Sequence, residues 1–178
     1  MKHFSPLNLT FFEHTNRLFR HWFTPSWRLK KLLSSHDLET IAQLIEASET
    51  HHTAEIAVAL ETRLPWSYLR RQACSRERAW SIFSKMQVWD TSDNNGVLLY
   101  FLLAERRIEI VADRACAQII DEAQWNAWLH ILYLAIQEKN LANGIQTVIS
   151  ELSAQLTLYF PQTEQNQKNL VSNRPHII

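Results

Sequence analysis

Apolar positions over residues 11–23 (FFEHTNRLFRHWF) recur at roughly helical spacing, with Arg17, Arg20 and histidines between them and Pro25 stopping the run. The pattern predicts a short basic amphipathic helix. A second helix is predicted from residue 37 to about residue 49, because Leu38, Ile41, Ala42, Leu44 and Ile45 share one face and Ser34 or Ser35 can cap its exposed N–H groups. The period then shortens. EIAVAL, residues 55–60, reads as a strand with Pro65 beyond it, and RERAWSIFSKM, residues 76–86, returns to helical spacing through Ala79, Trp80, Ile82 and Phe83. VLLYFLLA, residues 97–104, is a continuous apolar run of the kind a central strand shows when both its faces are covered. The charged ERR of residues 105–107 is short enough for a hairpin, and IEIVA then forms a third strand. Two more helices are expected over residues 123–137 and 145–159, with Gly144 between them as a helix-terminating residue. Beyond Pro161 the sequence is polar and unperiodic, which predicts a disordered or loosely attached tail.

These elements constrain the topology. A strand, crossover helix and strand in one sheet should be parallel and right-handed, whereas the tight connection at residues 105–107 makes the third strand antiparallel to the second. The start of the first strand, the start of the second and the end of the third then share one edge. Glu55, Asn94, Asn95 and Asp113 sit at those places.

Composition narrows the class. A chain of 178 residues, 46% of them hydrophobic, can bury one substantial core, so a single domain with extra segments at its ends is expected. Eighteen basic and eighteen acidic residues cancel, which removes the electrostatic footprint of a general nucleic-acid binder. The balance is uneven along the chain: Lys2, Arg17, Arg20, Arg28, Lys30 and Lys31 face Glu13 alone in the first 36 residues, so the rest is net acidic. Cys74 and Cys116 make neither a disulfide framework nor a CxxC pair and read as buried reduced thiols. No apolar leader precedes a small-residue cleavage site, and no run approaches the length of a membrane span, so a soluble cytoplasmic protein is expected.

AEIAVALE, VWDTSDNNGVLLYFLLAERRIEIVADRA and LANGIQTVISELSAQLTLYFP, in this order and spacing, resemble the TPM domain family. The resemblance covers residues 33–161 and is strongest over residues 95–114. It implies an α/β fold, a mixed sheet of about four strands sandwiched between helices. Residues 1–32 become a basic amphipathic N-terminal extension and residues 162–178 a polar tail. Family members include thylakoid-lumen proteins linked to photosystem repair, nematode receptor-associated proteins and many bacterial proteins. Ala54 and Ala115 stand where the family usually has glycine.

Candidate chemistry gathers around WDTSDNNG, residues 89–96. An EF-hand is excluded, because placing Gly96 at loop position six puts Leu102 where the bidentate acid belongs. The plain reading is a turn, since Asp and Asn tolerate left-handed backbone. The alternative is a distributed site for Ca²⁺ or Mg²⁺ drawing on Glu55, Asp93, Asn95, Asp113 and Asp121, whose oxygens suit a hard cation. The resemblance adds to it, because some TPM domains bind divalent cations near this edge. Asn94 and Arg114 complete the expected ligand edge, and Asp121 has a second role available as a helix cap. His51 and His52 read as an exposed loop pair, and Cys74 as an ordinary cysteine beside a surface helix bearing Arg76 and Arg78. Ser75 reads as that helix's cap. Trp66, Trp80, Trp89, Trp125 and Trp128 read as core or edge packing.

Two functions follow from these readings. One is a non-enzymatic interaction module, cation-stabilised, that serves assembly or maintenance of other proteins, as the wider family suggests. The other is a metal-dependent phosphatase acting on phosphomonoesters, in which Asp113 and Glu55 hold a metal and Arg114 counters developing charge. The missing glycines and the lack of a nucleophile and base pair weigh against the second. For residues 11–31, two placements are open: folded back on the domain with arginines facing water, or lying in an anionic membrane interface as a peripheral contact. No particular protein partner is indicated.

Overall fold

The computed structural model describes residues 4–25, 27–162 and 174–178. Helix α1 spans Phe11–Trp22 and α2 spans Trp27–Leu32, followed by α3, Ser35–Glu49. Strand β1, Ile56–Glu61, leads through α4, Trp66–Arg70, and α5, Ser75–Lys85, to β2, Val97–Leu102. A 3-10 turn at Leu103–Glu105 joins β2 to β3, Arg107–Ala112. Helices α6, Arg114–Ile119, α7, Glu122–Gln137, and α8, Leu141–Tyr159, follow, and β4 is His176–Ile177.

The sheet has the order β3-β2-β1-β4. β1 runs parallel to β2, with Ile56 opposite Val97, and β3 pairs antiparallel to β2, with Val97 opposite Ala112. This is the mixed sheet that the strand, helix, strand and hairpin succession requires. Because successive side chains in a strand point to opposite faces, each strand feeds two cores. Ile56, Val58, Leu60, Val97, Leu99, Phe101, Ile108 and Ile110 face a layer built from α3, α7 and α8, with Trp128 fully buried in it. Ala57, Ala59, Leu98, Tyr100 and Val111 face the other way, against Ala79, Ile82 and Phe83 of α5. The result is a three-layer α/β/α sandwich. Large residues fill the α3/α7/α8 side of β1, and alanines stand on its reverse, while α5 lies mainly over β3 and β2.

Local chemistry sets the helix ends. Thr10 and Glu13 form a reciprocal capping box at α1, and Ser34 and Asp37 form another at α3. The α3 cap is the one the sequence offered. At α5 the expected cap is different: the chain enters at Cys74, and the Ser75 hydroxyl donates instead to Glu109 of β3 at 2.5 Å.

Several expectations are corrected. Gly144 does not terminate a helix but lies inside α8, where a Cβ would come within 2.3 Å of the Ala135 Cβ on α7; it is there for close helix packing. The break between α7 and α8 is made by Lys139 at φ 59°. The five- and six-residue helices α2, α4 and α6 are too short to show a period. The C-terminal segment was expected to hang free. Residues 163–173 of it lie outside the described residues, but Ala59 pairs with His176 and Leu60 with Ile177, adding a parallel edge strand to β1. His51 is exposed as expected, whereas His52 is buried and bridges to Pro161. Trp66 and Trp89 are exposed rather than packed.

Candidate functional site

At the amino end of β1 and β2 the backbone draws the sequence-predicted edge together. Val97 N–H donates to the Glu55 carbonyl, Asp113 N–H to the Gly96 carbonyl, and Ala115 N–H to the Asn94 carbonyl. Asn94 takes φ 52°, the left-handed turn position that Asn accepts more readily than most residues. Gly96 is not there for its conformational freedom. A Cβ on it would fall 1.8 Å from the Val88 carbonyl oxygen, so the loop of residues 89–96 folds flat onto the end of α5 and only glycine fits.

The side chains at this edge converge only in part. Thr53 hydroxyl donates to Asp93 Oδ2 at 2.7 Å and accepts from Asn95 Nδ2 at 3.0 Å, while Asn95 Oδ1 is buried with no hydrogen-bond partner. Thr53 was not among the expected residues. Glu55 is buried at the start of β1. Asp113 turns to cap α6, its carboxylate accepting the Arg114 N–H at 2.7 Å. Asp121 occupies the N-cap position of α7 without a capping hydrogen bond, and the Arg114 side chain is exposed. Among the described residues, no three His, Cys, Asp or Glu side chains lie close enough to share a metal ion. A multi-carboxylate cage does not fit this edge; what the chain offers a hard cation is Asp93 and the Asn95 amide oxygen, linked through Thr53. Cys116 closes the edge from below, its thiol donating to the Asn95 carbonyl, with burial and the Asp113 charge pushing its pKa up to about 12. It is an inert structural thiol.

The carboxyl end of β1 and β2 carries stronger features. Glu61, the last residue of β1, is buried and accepts two hydrogen bonds from Arg78 Nε and one, at 2.7 Å, from Arg78 Nη2. Tyr100 Oη adds a bond of 2.5 Å to the same carboxylate. Burial, then the Glu61 charge, push the Tyr100 pKa well up; burial opposes the charge on Arg78, but Glu61 more than offsets it and holds the guanidinium ionised. The expected surface helix beside Cys74 is therefore partly an internal one. Arg71 pairs with Glu77, and Arg76 bonds the Ile110 carbonyl and approaches Glu109.

Helix α1 docks over this end with an unexpected face inward. Arg17 Nε donates to Glu105 Oε1 at 2.6 Å and Nη2 to the Ala73 carbonyl at 2.7 Å. His21 accepts the Leu64 N–H at Nδ1, so its proton lies on Nε2 and points to Glu105 Oε1, 2.9 Å away. These bonds to Arg17 and His21 overcome the burial of Glu105 and hold its pKa below the usual carboxylate value. The helix thus folds back on the domain, as one of the two expected placements had it; Arg20 faces water as expected, but Arg17 faces inward. Phe11, Phe12, Phe19, Trp22 and Phe23 face out, 62% to 85% exposed, with Phe19 stacked on Phe23 at 5.6 Å.

Two clefts flank α1 and α2. One, of about 640 Å³, lies between α1 and the chain entering α4, lined by Leu18, Phe19, Trp22, Phe23, Leu64, Pro65 and Trp66. The other, of about 740 Å³, lies between α2, the β2–β3 turn and the end of α7. Arg28, Lys31, Arg106, Arg107 and Lys139 line it together with Trp27, Leu32, Leu103, Tyr133 and Ile136, and among the described residues no acidic one does. The ERR turn explains this division: Glu105 reaches toward α1, while Arg106 and Arg107 line the cleft. Sequence reasoning used ERR only as a hairpin and passed over Lys139; the net-basic start of the chain was the available signal.

Among the described residues no helix is long and apolar enough to cross a membrane. No match is found among curated proteins. Among solved structures the chain is similar to the NMR structure of the BA42 protein from the psychrophilic bacterium Bizionia argentinensis. The two are 20% identical with a TM-score of 0.71, over 82% of this chain and 95% of that one, a likeness of fold. The family model described as the TPM domain matches residues 28–155. With a match over most of its length and the mixed, helix-flanked sheet that the resemblance implied, the chain belongs to the TPM domain family.

Proposed function

We propose that this chain is a non-enzymatic interaction module that serves assembly or maintenance of other proteins, and that α1 carries its contact face. The observation behind the proposal is the inverted seating of α1. A helix fixed by buried Arg17 and His21 while Phe11, Phe12, Phe19 and Trp22, with Phe23 at its C-cap, stand in solvent is a surface prepared for contact. The phosphatase alternative needs Asp113 at a metal; its carboxylate is engaged in capping α6. The deciding experiment is an assay on a generic phosphomonoester with Mg²⁺, Ca²⁺ or Mn²⁺. No turnover above that of an Asp113→Ala variant is expected, and turnover that this variant abolishes would replace the proposal with the phosphatase.

A divalent cation enters as a stabiliser rather than a reagent. It is favoured by the buried, unpartnered Asn95 Oδ1 next to the Thr53–Asp93 pair, an oxygen type that Ca²⁺ accepts. At ten times its Kd, Ca²⁺ should add about 1.4 kcal/mol of stability, about 3–6 °C in Tm for a chain of this size. Asp93→Asn should remove the increment. Identical melting in EDTA and in excess Ca²⁺ would show that the edge holds no cation.

A further inference from the structure

We infer that α1, α2 and the basic cleft form one docking surface for an anionic lipid bilayer, the aromatic side chains entering the interface and the cleft receiving a phosphate headgroup. The inference rests on the interaction-module reading and adds the surface on which the module would sit while it works.

Two independent features point the same way. First, a helix at the surface of a soluble domain ordinarily turns its apolar stripe to the core. Here Arg17 and His21 are buried on Glu105, and Phe11, Phe12, Phe19, Trp22 and Phe23 stand outside; the helix is pinned so that it cannot roll over and bury them without breaking the Arg17 and His21 bonds. Second, the cleft beside it concentrates like charge. Arg28, Lys31, Arg106, Arg107 and Lys139 are all exposed, and among the described residues none makes a salt bridge or a side-chain hydrogen bond. Five cations around one cavity repel one another, and an anion relieves that repulsion. Trp27, 58% exposed, belongs to both features: it starts α2 next to the aromatic face and lines the cleft.

Outward aromatics beside Lys and Arg are the composition of an interfacial helix, where apolar burial and attraction to anionic lipid act together. The same surface suits other occupants less well. A nucleic acid would meet the cations but leave Phe11 and Phe12 in water. A second copy docking by two-fold symmetry would set one basic cleft near the other.

The test is co-sedimentation of the full chain with phosphatidylcholine vesicles, with and without phosphatidylglycerol. Sedimentation with the anionic vesicles, weakened by salt, and little with phosphatidylcholine alone is expected. Phe19→Ser combined with Trp22→Ser should lower partitioning at least about tenfold, and Arg107→Gln with Lys139→Gln about fivefold for each charge removed. All four positions are exposed, so both variants should melt like the parent. Absence of sedimentation with either vesicle overturns the inference. So does unaltered partitioning of the Arg107→Gln, Lys139→Gln variant, or full displacement by millimolar glycerol phosphate, which would make the cleft a small-phosphate site. If vesicles fail and the aromatic substitutions turn a dimer into a monomer in sedimentation velocity, the face belongs to a second copy. Those outcomes leave the module reading standing, whereas Asp113-dependent phosphomonoester turnover removes that reading whatever the vesicles do.

Discussion

Arg78→Ala is expected to cost about 3–5 kcal/mol of stability, because it leaves a charged Glu61 buried without its partner. The Glu61 and Arg78 side chains are 2% and 6% exposed, and three hydrogen bonds join them beneath Tyr100. Removing the guanidinium leaves Tyr100 Oη as the donor to that carboxylate among the bonds described. For a chain of this length the Tm should fall by about 10 °C or more. Glu61→Leu combined with Arg78→Met removes both charges and should cost clearly less than Arg78→Ala alone, since an apolar pair of similar volume is often close to neutral. Thermal and urea unfolding of the parent, the single variants and the double variant measure the difference. A double variant no more stable than Arg78→Ala would mean that the ion pair itself, not the avoidance of an orphaned charge, stabilises this layer.

Acidification should weaken the fold through His52. Its Nδ1 bonds the Ala54 carbonyl, its Nε2 is buried with no hydrogen-bond partner, and burial lowers its pKa from 6.5 to about 4. Above pH 6.5 the ring is neutral in both folded and unfolded chain and contributes no pH dependence. As pH falls from 6.5 toward 4 the unfolded chain takes up a proton that the folded chain refuses, so stability is lost across that window, by about 3 kcal/mol in all. Below pH 4 both states are protonated and the loss is complete. His52→Asn can keep a donor near the Ala54 carbonyl without the titration, so its stability should fall less over the same range. Unfolding free energies at pH 7, 5.5 and 4 provide the comparison; parallel curves would exclude His52 as the sensor. The strands and the carboxylates titrating near pH 4 are common to both chains and cancel in the difference.

The sheet was legible because its signals are local. A continuous apolar run over residues 97–104 has to be buried on both faces, and a three-residue charged connection can only reverse direction, so β2, β3 and their pairing follow directly. The same reasoning brought the backbones of residues 55, 94–96 and 113–115 to one edge. Side-chain aim was not legible. Asp113 lies where it was expected, yet its carboxylate bends to its neighbour's N–H, a choice decided by a few torsions. Arg78 looked like one more surface cation, because its partner Glu61 lies 17 residues away and meets it only after α5 packs on the sheet. Amphipathicity told that α1 has two faces but not which one turns inward; Glu105, 88 residues from Arg17, decides that. β4 carries no periodic signal at all, since two residues cannot show one.

Arg106 and Lys139 take up positive φ, 50° and 59°, at the turn after β2 and at the break between α7 and α8, and both line the basic cleft. Glycine would adopt those backbones without the clash of a Cβ, which costs a non-glycine residue about 1 kcal/mol or more. The chain instead uses its two glycines where neighbouring atoms leave no room, at Gly96 and Gly144, and keeps long cations at these turns. Selection for stability alone and selection for the cleft therefore pull in opposite directions at the same two positions. A library screened only for heat resistance should drift toward glycine or asparagine there and shed positive charge as it does so, whereas retention of Arg or Lys under that pressure would show that the cations cost no stability at these turns.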